Sequence, residues 1–142
     1  MADRRGFTMI EMLVVVVLIG IITLMIFPLV RDMNIKNDVR SARSAVSALY
    51  VKARSTAIAT SRPTTLKTAN DSLWLTQSIG GVQTVVAGST EKLNSRYGVT
   101  VTTSGDISLT PTGLVTTGTD TITVTKSGVS QRFIVSGYGR VQ

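Results

Sequence analysis

The sequence predicts an α+β protein in which a long N-terminal helix is laid on a mostly antiparallel β-sheet head. Three observations carry that prediction. From Phe7 to Val30 the chain is apolar except for one carboxylate, Glu11. From Arg31 to Thr60 apolar residues recur at helical spacing between charged and hydroxyl-bearing ones. After Pro63 the composition changes to Thr, Val, Ser and Gly, in short alternating runs that favour strands and turns.

The first segment, residues 1–6, is short and polar and carries Arg4 and Arg5. Positive charge beside an apolar span stays on the cytoplasmic side, so the chain beyond Val30 is expected across the membrane. Residues 7–30 would reach roughly 36 Å as a helix, against a hydrocarbon core of about 30 Å. A secretory signal peptide would have a shorter apolar core and a small-residue cleavage site beyond it. Phe27-Pro28-Leu29-Val30-Arg31 makes a poor exit of that kind. A single-pass anchor accounts for the length and the orientation but not for Glu11. A carboxylate inside such a span is costly unless paired, which makes it a functional candidate. Gly20 suits close helix packing, Pro28 removes one backbone hydrogen bond, and Met9, Met12 and Met25 serve as apolar filling.

Residues 31–62 read as an amphipathic continuation of the same helix. Ile35, Val39, Ala42, Val46, Leu49, Ala53 and Ala57 define one face, expected to pack on a sheet. Arg40, Arg43 and Arg54 fall on the rest, as a solvated surface. Ser61-Arg62-Pro63 ends the helix.

The head, residues 63–142, is expected to form one antiparallel sheet. Thr64–Ala69 and Ser72–Thr76 flank a two-residue turn at Asn70-Asp71. Trp74 points away from Leu73 and Leu75 and is read as a packing residue. Val82–Val86, Tyr97–Thr102 and Ile107–Thr110 are shorter strands, and Ser78–Tyr97 is mainly a long loop. Thr121–Thr125 alternates and turns at Lys126-Ser127-Gly128 into Gln131–Ser136.

Composition narrows the chemistry. The 142 residues contain no cysteine and no histidine, which removes disulfides, the commonest general base and the commonest transition-metal ligand. The acidic residues after Glu11 are scattered (Asp32, Asp38, Asp71, Glu91, Asp106 and Asp120) and form no paired-carboxylate or calcium-loop spacing. An enzyme is not expected, and no cofactor or metal is called for. The net charge of +7 and the mean hydropathy of +0.28 fit a membrane-anchored chain with a basic surface.

With those residues in place, Arg5-Gly6-Phe7-Thr8-Met9-Ile10-Glu11 and the following apolar run resemble the N-terminus of type IV pilins and type II secretion pseudopilins. The resemblance implies cleavage after Gly6 by a prepilin peptidase, N-methylation of the new terminal Phe7, and assembly roles for Glu11 and Pro28. Cleavage would create a cationic amine four positions before Glu11, and the family implication is that Glu11 meets the amine of a neighbouring subunit. A softer resemblance covers Ala53–Ile58 with Arg62-Pro63, and Arg132–Val141. It is to the GspH/FimT-type minor pseudopilins, and it favours a minor, tip-located subunit.

The implied partners are other pilins or pseudopilins, the prepilin peptidase and an inner-membrane assembly platform. The implied location is the bacterial inner membrane, with the head periplasmic, and then a filament. Some FimT-type members bind DNA through a C-terminal Gly-Arg-x-Arg tail. Here Gly139-Arg140-Val141-Gln142 lacks the second arginine, leaving Lys126, Arg132, Tyr138 and Arg140 as candidate DNA contacts.

Overall fold

The computed structural model describes residues 7–116 and 118–137. The chain divides into two compact units between Asn34 and Ile35. The first is the N-terminal part of helix α1 (Met9–Thr60), whose helical assignment runs on through Pro28. An 18-residue window of α1 has a mean hydropathy of 3.1, and none of it is buried in the protein.

The second unit is the head. The C-terminal part of α1 presents Val39, Ala42, Val46, Leu49, Ala53 and Ala57 to the interior, the face expected from their spacing, together with Tyr50. Ile35, expected on the same face, is half-buried. The helix closes on Ser61, which takes a left-handed φ of 52°. The Arg62 N–H then donates to the Ala57 carbonyl at 3.2 Å, the six-to-one bond of a Schellman cap. Pro63 follows and cannot extend the ladder.

The strands are β1 (Thr64–Ala69), β2 (Ser72–Ile79), β3 (Val82–Val85), β4 (Glu91–Lys92), β5 (Thr100–Thr103), β6 (Ile107–Leu109), β7 (Asp120–Lys126) and β8 (Val129–Val135); a short helix, α2 (Leu93–Tyr97), follows β4. Three tight hairpins have both central residues at positive φ: Asn70-Asp71, Gly80-Gly81 and Ser127-Gly128. That geometry matches the right-handed twist of the strands they join. The expected turn at Asn70-Asp71 is found as such, and the β7–β8 turn is Ser127-Gly128.

The head differs from the expectation of one sheet. It contains two antiparallel sheets: β3-β2-β1-β6 with β4 also paired to β2, and β5-β7-β8. Alternation in sequence fixes which side chains share a face, but it does not say which strand lies alongside. The chain crosses between sheets in the Ser104–Asp106 turn. The Ser104 N–H still donates to the Thr121 carbonyl of β7 at 3.0 Å, whereas Ile107 is already opposite Leu66 of β1. Asp71 links the two systems from its hairpin turn. Its Oδ1 accepts the Val101 N–H at 2.8 Å, and its carbonyl accepts the Leu93 N–H at 3.1 Å.

The expected long loop over 78–97 is also more ordered than its composition suggested, with β3, β4 and α2 inside it. Ser89 makes this possible. Its buried hydroxyl accepts the Leu75 N–H at 3.1 Å and donates to the Val86 carbonyl at 2.6 Å, filling the gap where the chain leaves β2 after β3.

The core is built from alternate strand positions against the helical stripe. Leu66, Leu73, Leu75, Ile107, Ile122, Val124, Phe133 and Val135 are all buried, while Trp74 is half-buried on the opposite face of β2. At the helix end, buried Gln77 donates to the Thr60 and Thr64 hydroxyls at 2.6 and 3.1 Å, so its amide group does not sit unsatisfied in the core.

Candidate functional site

Glu11 lies in the first turn of α1, three positions after Thr8. The Thr8 hydroxyl accepts the Glu11 N–H at 3.3 Å, and the Glu11 carboxylate accepts the Thr8 N–H at 3.4 Å. This is a reciprocal capping box, which satisfies two backbone donors that a helix start otherwise leaves open. The negative charge also sits at the positive end of the helix dipole. The Thr-x-x-Glu pattern was visible in the sequence as a capping signature, but reading Glu11 only as a charge in need of a partner passed over it.

Phe7 and the apolar residues after it are exposed through Val30. A contiguous apolar surface of that extent calls for lipid or other helices to cover it. Within it, Thr23 donates its hydroxyl to the Ile19 carbonyl at 2.8 Å, so this polar group is satisfied without leaving its own helix. Pro28 is exposed inside the helix, and Gly6 lies outside the described residues.

The two candidate DNA contacts among the described residues, Lys126 and Arg132, lie on opposite faces of one sheet. Lys126 lies on the inner face of β7 with Ile122 and Val124, and its Nζ sits 2.7 Å from the Asp38 carboxylate and 2.7 Å from the Tyr97 carbonyl. Arg132 stands opposite Thr123, on the other face of the same sheet, and is exposed. Its carbonyl accepts the Arg43 Nε–H at 2.9 Å. Tyr138 and Arg140 lie outside the described residues. Lys126 is therefore a fastening between α1, β7 and the end of α2. Because the pair is partly solvated, Lys126→Ala is expected to cost only about 1 kcal/mol. For a domain of this size that is a fall in Tm of about 4–8 °C, measurable by thermal denaturation of the head.

A groove of about 460 Å³ runs beside the exposed flank of α1, between Ser44, Ala48 and Lys52 on the helix and Glu91, Arg96 and Tyr97 beyond it. Arg96 pairs with Glu91 at 3.4 Å and stacks over the Tyr97 ring at 5.4 Å, while Lys52 donates to the Gly88 carbonyl at 2.7 Å. Its charged groups are thus engaged with one another or with backbone.

Residues 1–27 match the family model of the prokaryotic N-terminal methylation motif. None of the curated protein sequences matches the chain. Among solved structures, the fold resembles the type IV minor pilin FimU of Pseudomonas aeruginosa PAO1 in two crystal forms. The P21 form aligns with a TM-score of 0.63 at 18% identity, over 75% of this chain and 88% of FimU. The P65 form aligns with a TM-score of 0.58 at 17% identity, over 72% and 90% respectively. Residues 1–27 thus carry the prokaryotic N-terminal methylation motif, and the fold is similar to that of a type IV minor pilin.

Proposed function

We propose that the chain is a minor pilin or minor pseudopilin, a structural subunit that waits in the bacterial inner membrane and is then assembled at or near the tip of a filament. The observation that carries this reading is the pairing of residues 1–27, which match the methylation motif, with an apolar helical window that the protein's own fold leaves bare. In this reading residues 1–6 are a leader, residues 7–30 cross the membrane and later line the filament core, and residues 31–62 fix the helix to the periplasmic head. A prepilin peptidase cuts between Gly6 and Phe7, and Phe7 is methylated. Glu11 then pairs with the Phe7 amine of a neighbouring subunit as the helices bundle.

The chain performs no catalysis under this proposal. Its helix supplies non-polar packing, Glu11 supplies register, and the head faces its partners. The filament is either a type II secretion pseudopilus or a type IV pilus. Mass spectrometry of the membrane-extracted protein tests the reading directly. The expected N-terminus is N-methylated Phe7; a chain still beginning at Met1 would overturn it in favour of a plain anchor.

A further inference from the structure

We propose that the outward edge of β3 docks an extended segment from an adjacent subunit of the same filament, adding a strand to the larger sheet of the head. The inference rests on the filament reading above, and it names a surface that reading does not require.

The backbone phase of β3 sets the geometry. Val86 donates its N–H to the Leu75 carbonyl at 2.9 Å, and Thr84 and Val82 stand opposite Gln77 and Ile79. Inward-facing groups alternate along an antiparallel strand, so the N–H and C=O of Gln83 and Val85 turn away from β2. Among the described residues nothing occupies them.

The other edges are different. On β5 the Val101 N–H is taken by Asp71, and on β8 the Arg132 carbonyl is taken by Arg43. On β6 the Ser108 carbonyl is taken by the Thr116 N–H at 2.9 Å. Natural sheets protect open edges with charge, proline or a bulge. Val82-Gln83-Thr84-Val85 has no charge and no proline and is paired without interruption, and Val82 and Val85 are 66% and 54% exposed. The neighbouring β4, on the same side of β2, carries both Glu91 and Lys92. The β3 edge is thus both open and uncharged.

The occupant follows from size. Two outward-facing residues offer two donors and two acceptors, and a strand on them buries far less than the roughly 1,200 Å² of a stable free interface. Such a contact forms when the partner is already held alongside, which raises its effective concentration. An apolar N-terminal helix shared with neighbouring subunits provides that tether. The chemistry selects an extended, uncharged segment with β-branched or hydroxyl side chains to pair across from Gln83 and Val85.

The test uses the full chain in cells that assemble the filament, with a photo-crosslinking amino acid in place of Gln83. A second probe replaces Lys67, which stands opposite Trp74 on β1, an inner strand of the sheet. The expected result is an adduct with another filament subunit at position 83 and none at 67. Adding Val85→Pro removes one outward N–H, and Val85→Lys places a charge on the edge. Both are expected to lower the adduct about tenfold, the worth of one or two hydrogen bonds, with processing unchanged. If N-methylated Phe7 is found and the chain is present in sheared filaments, yet position 83 gives no subunit adduct or one insensitive to both variants, the docking edge is wrong and the filament reading stands. If the chain never enters filaments, both fall together.

Discussion

Replacing Glu11 with alanine is expected to lower incorporation into sheared filaments by more than about tenfold, because under the proposed function it would leave the Phe7 amine of a neighbouring subunit without a partner in an apolar setting. The capping box supplies a competing explanation, and its magnitude separates the two. Loss of a helix cap costs about 1 kcal/mol, whereas breaking a buried ion pair by removing one partner costs about 3–5 kcal/mol. Thr8→Ala removes the hydroxyl that accepts the Glu11 N–H while keeping the carboxylate, so incorporation should stay within a few-fold of the parent. Glu11→Gln keeps an oxygen able to accept the Thr8 N–H but carries no charge, so it should behave like Glu11→Ala. Immunoblotting of sheared filaments against membrane-retained protein reads all three variants. Parent-like incorporation of Glu11→Gln would reduce Glu11 to its local capping role.

The features legible in the sequence were those that rest on neighbouring residues. The stripe from Val39 to Ala57 could be read because helical spacing alone brings those side chains to one face. Asn70-Asp71 could be read because a two-residue turn with both φ values positive selects such residues. What escaped depends on partners far along the chain. Lys126 looked like a free cation because Asp38, its partner, lies 88 residues away. Helix α2 is five residues long, too short for a periodic pattern. The Asp71 carbonyl holds its first N–H groups, and Gly98, at φ 64°, ends it. The partition into two sheets escaped for the same reason, since β5 and β6 are consecutive in sequence yet pair with β7 and β1. Glu11 is the exception. Its capping partner is three residues away, so the signal was local and was obscured only by the demand for an external counter-charge.

Phe133→Ala is expected to be among the most damaging single substitutions in the head. Phe133 is fully buried on β8, and its ring meets Tyr50 of α1 edge-on, with centroids 5.7 Å apart and planes at 62°. It therefore joins the helix to the three-stranded sheet, and truncation removes both the buried area and the aromatic contact. Phenylalanine-to-alanine changes in a packed core cost about 3–5 kcal/mol, so the Tm of the head should fall by about 15 °C or more. Tyr50→Phe provides the opposite control. The Tyr50 hydroxyl is buried without a hydrogen-bond partner among the described residues, and burial pushes the phenol above its ordinary pKa, an effect the nearby Arg54 guanidinium partly offsets. Removing that oxygen keeps the ring and abolishes an unsatisfied polar atom whose burial costs about 1–3 kcal/mol. Tyr50→Phe should thus leave the Tm unchanged or raise it, while Phe133→Ala lowers it steeply. Thermal denaturation of a soluble head beginning near Ile35, where the compact unit starts, compares the two. A fall of several degrees in Tyr50→Phe would mean that the hydroxyl is held by a partner in solution. A small effect of Phe133→Ala would mean that α1 is fastened to the smaller sheet mainly through polar contacts such as Asp38–Lys126 and the Arg43 bond to the Arg132 carbonyl.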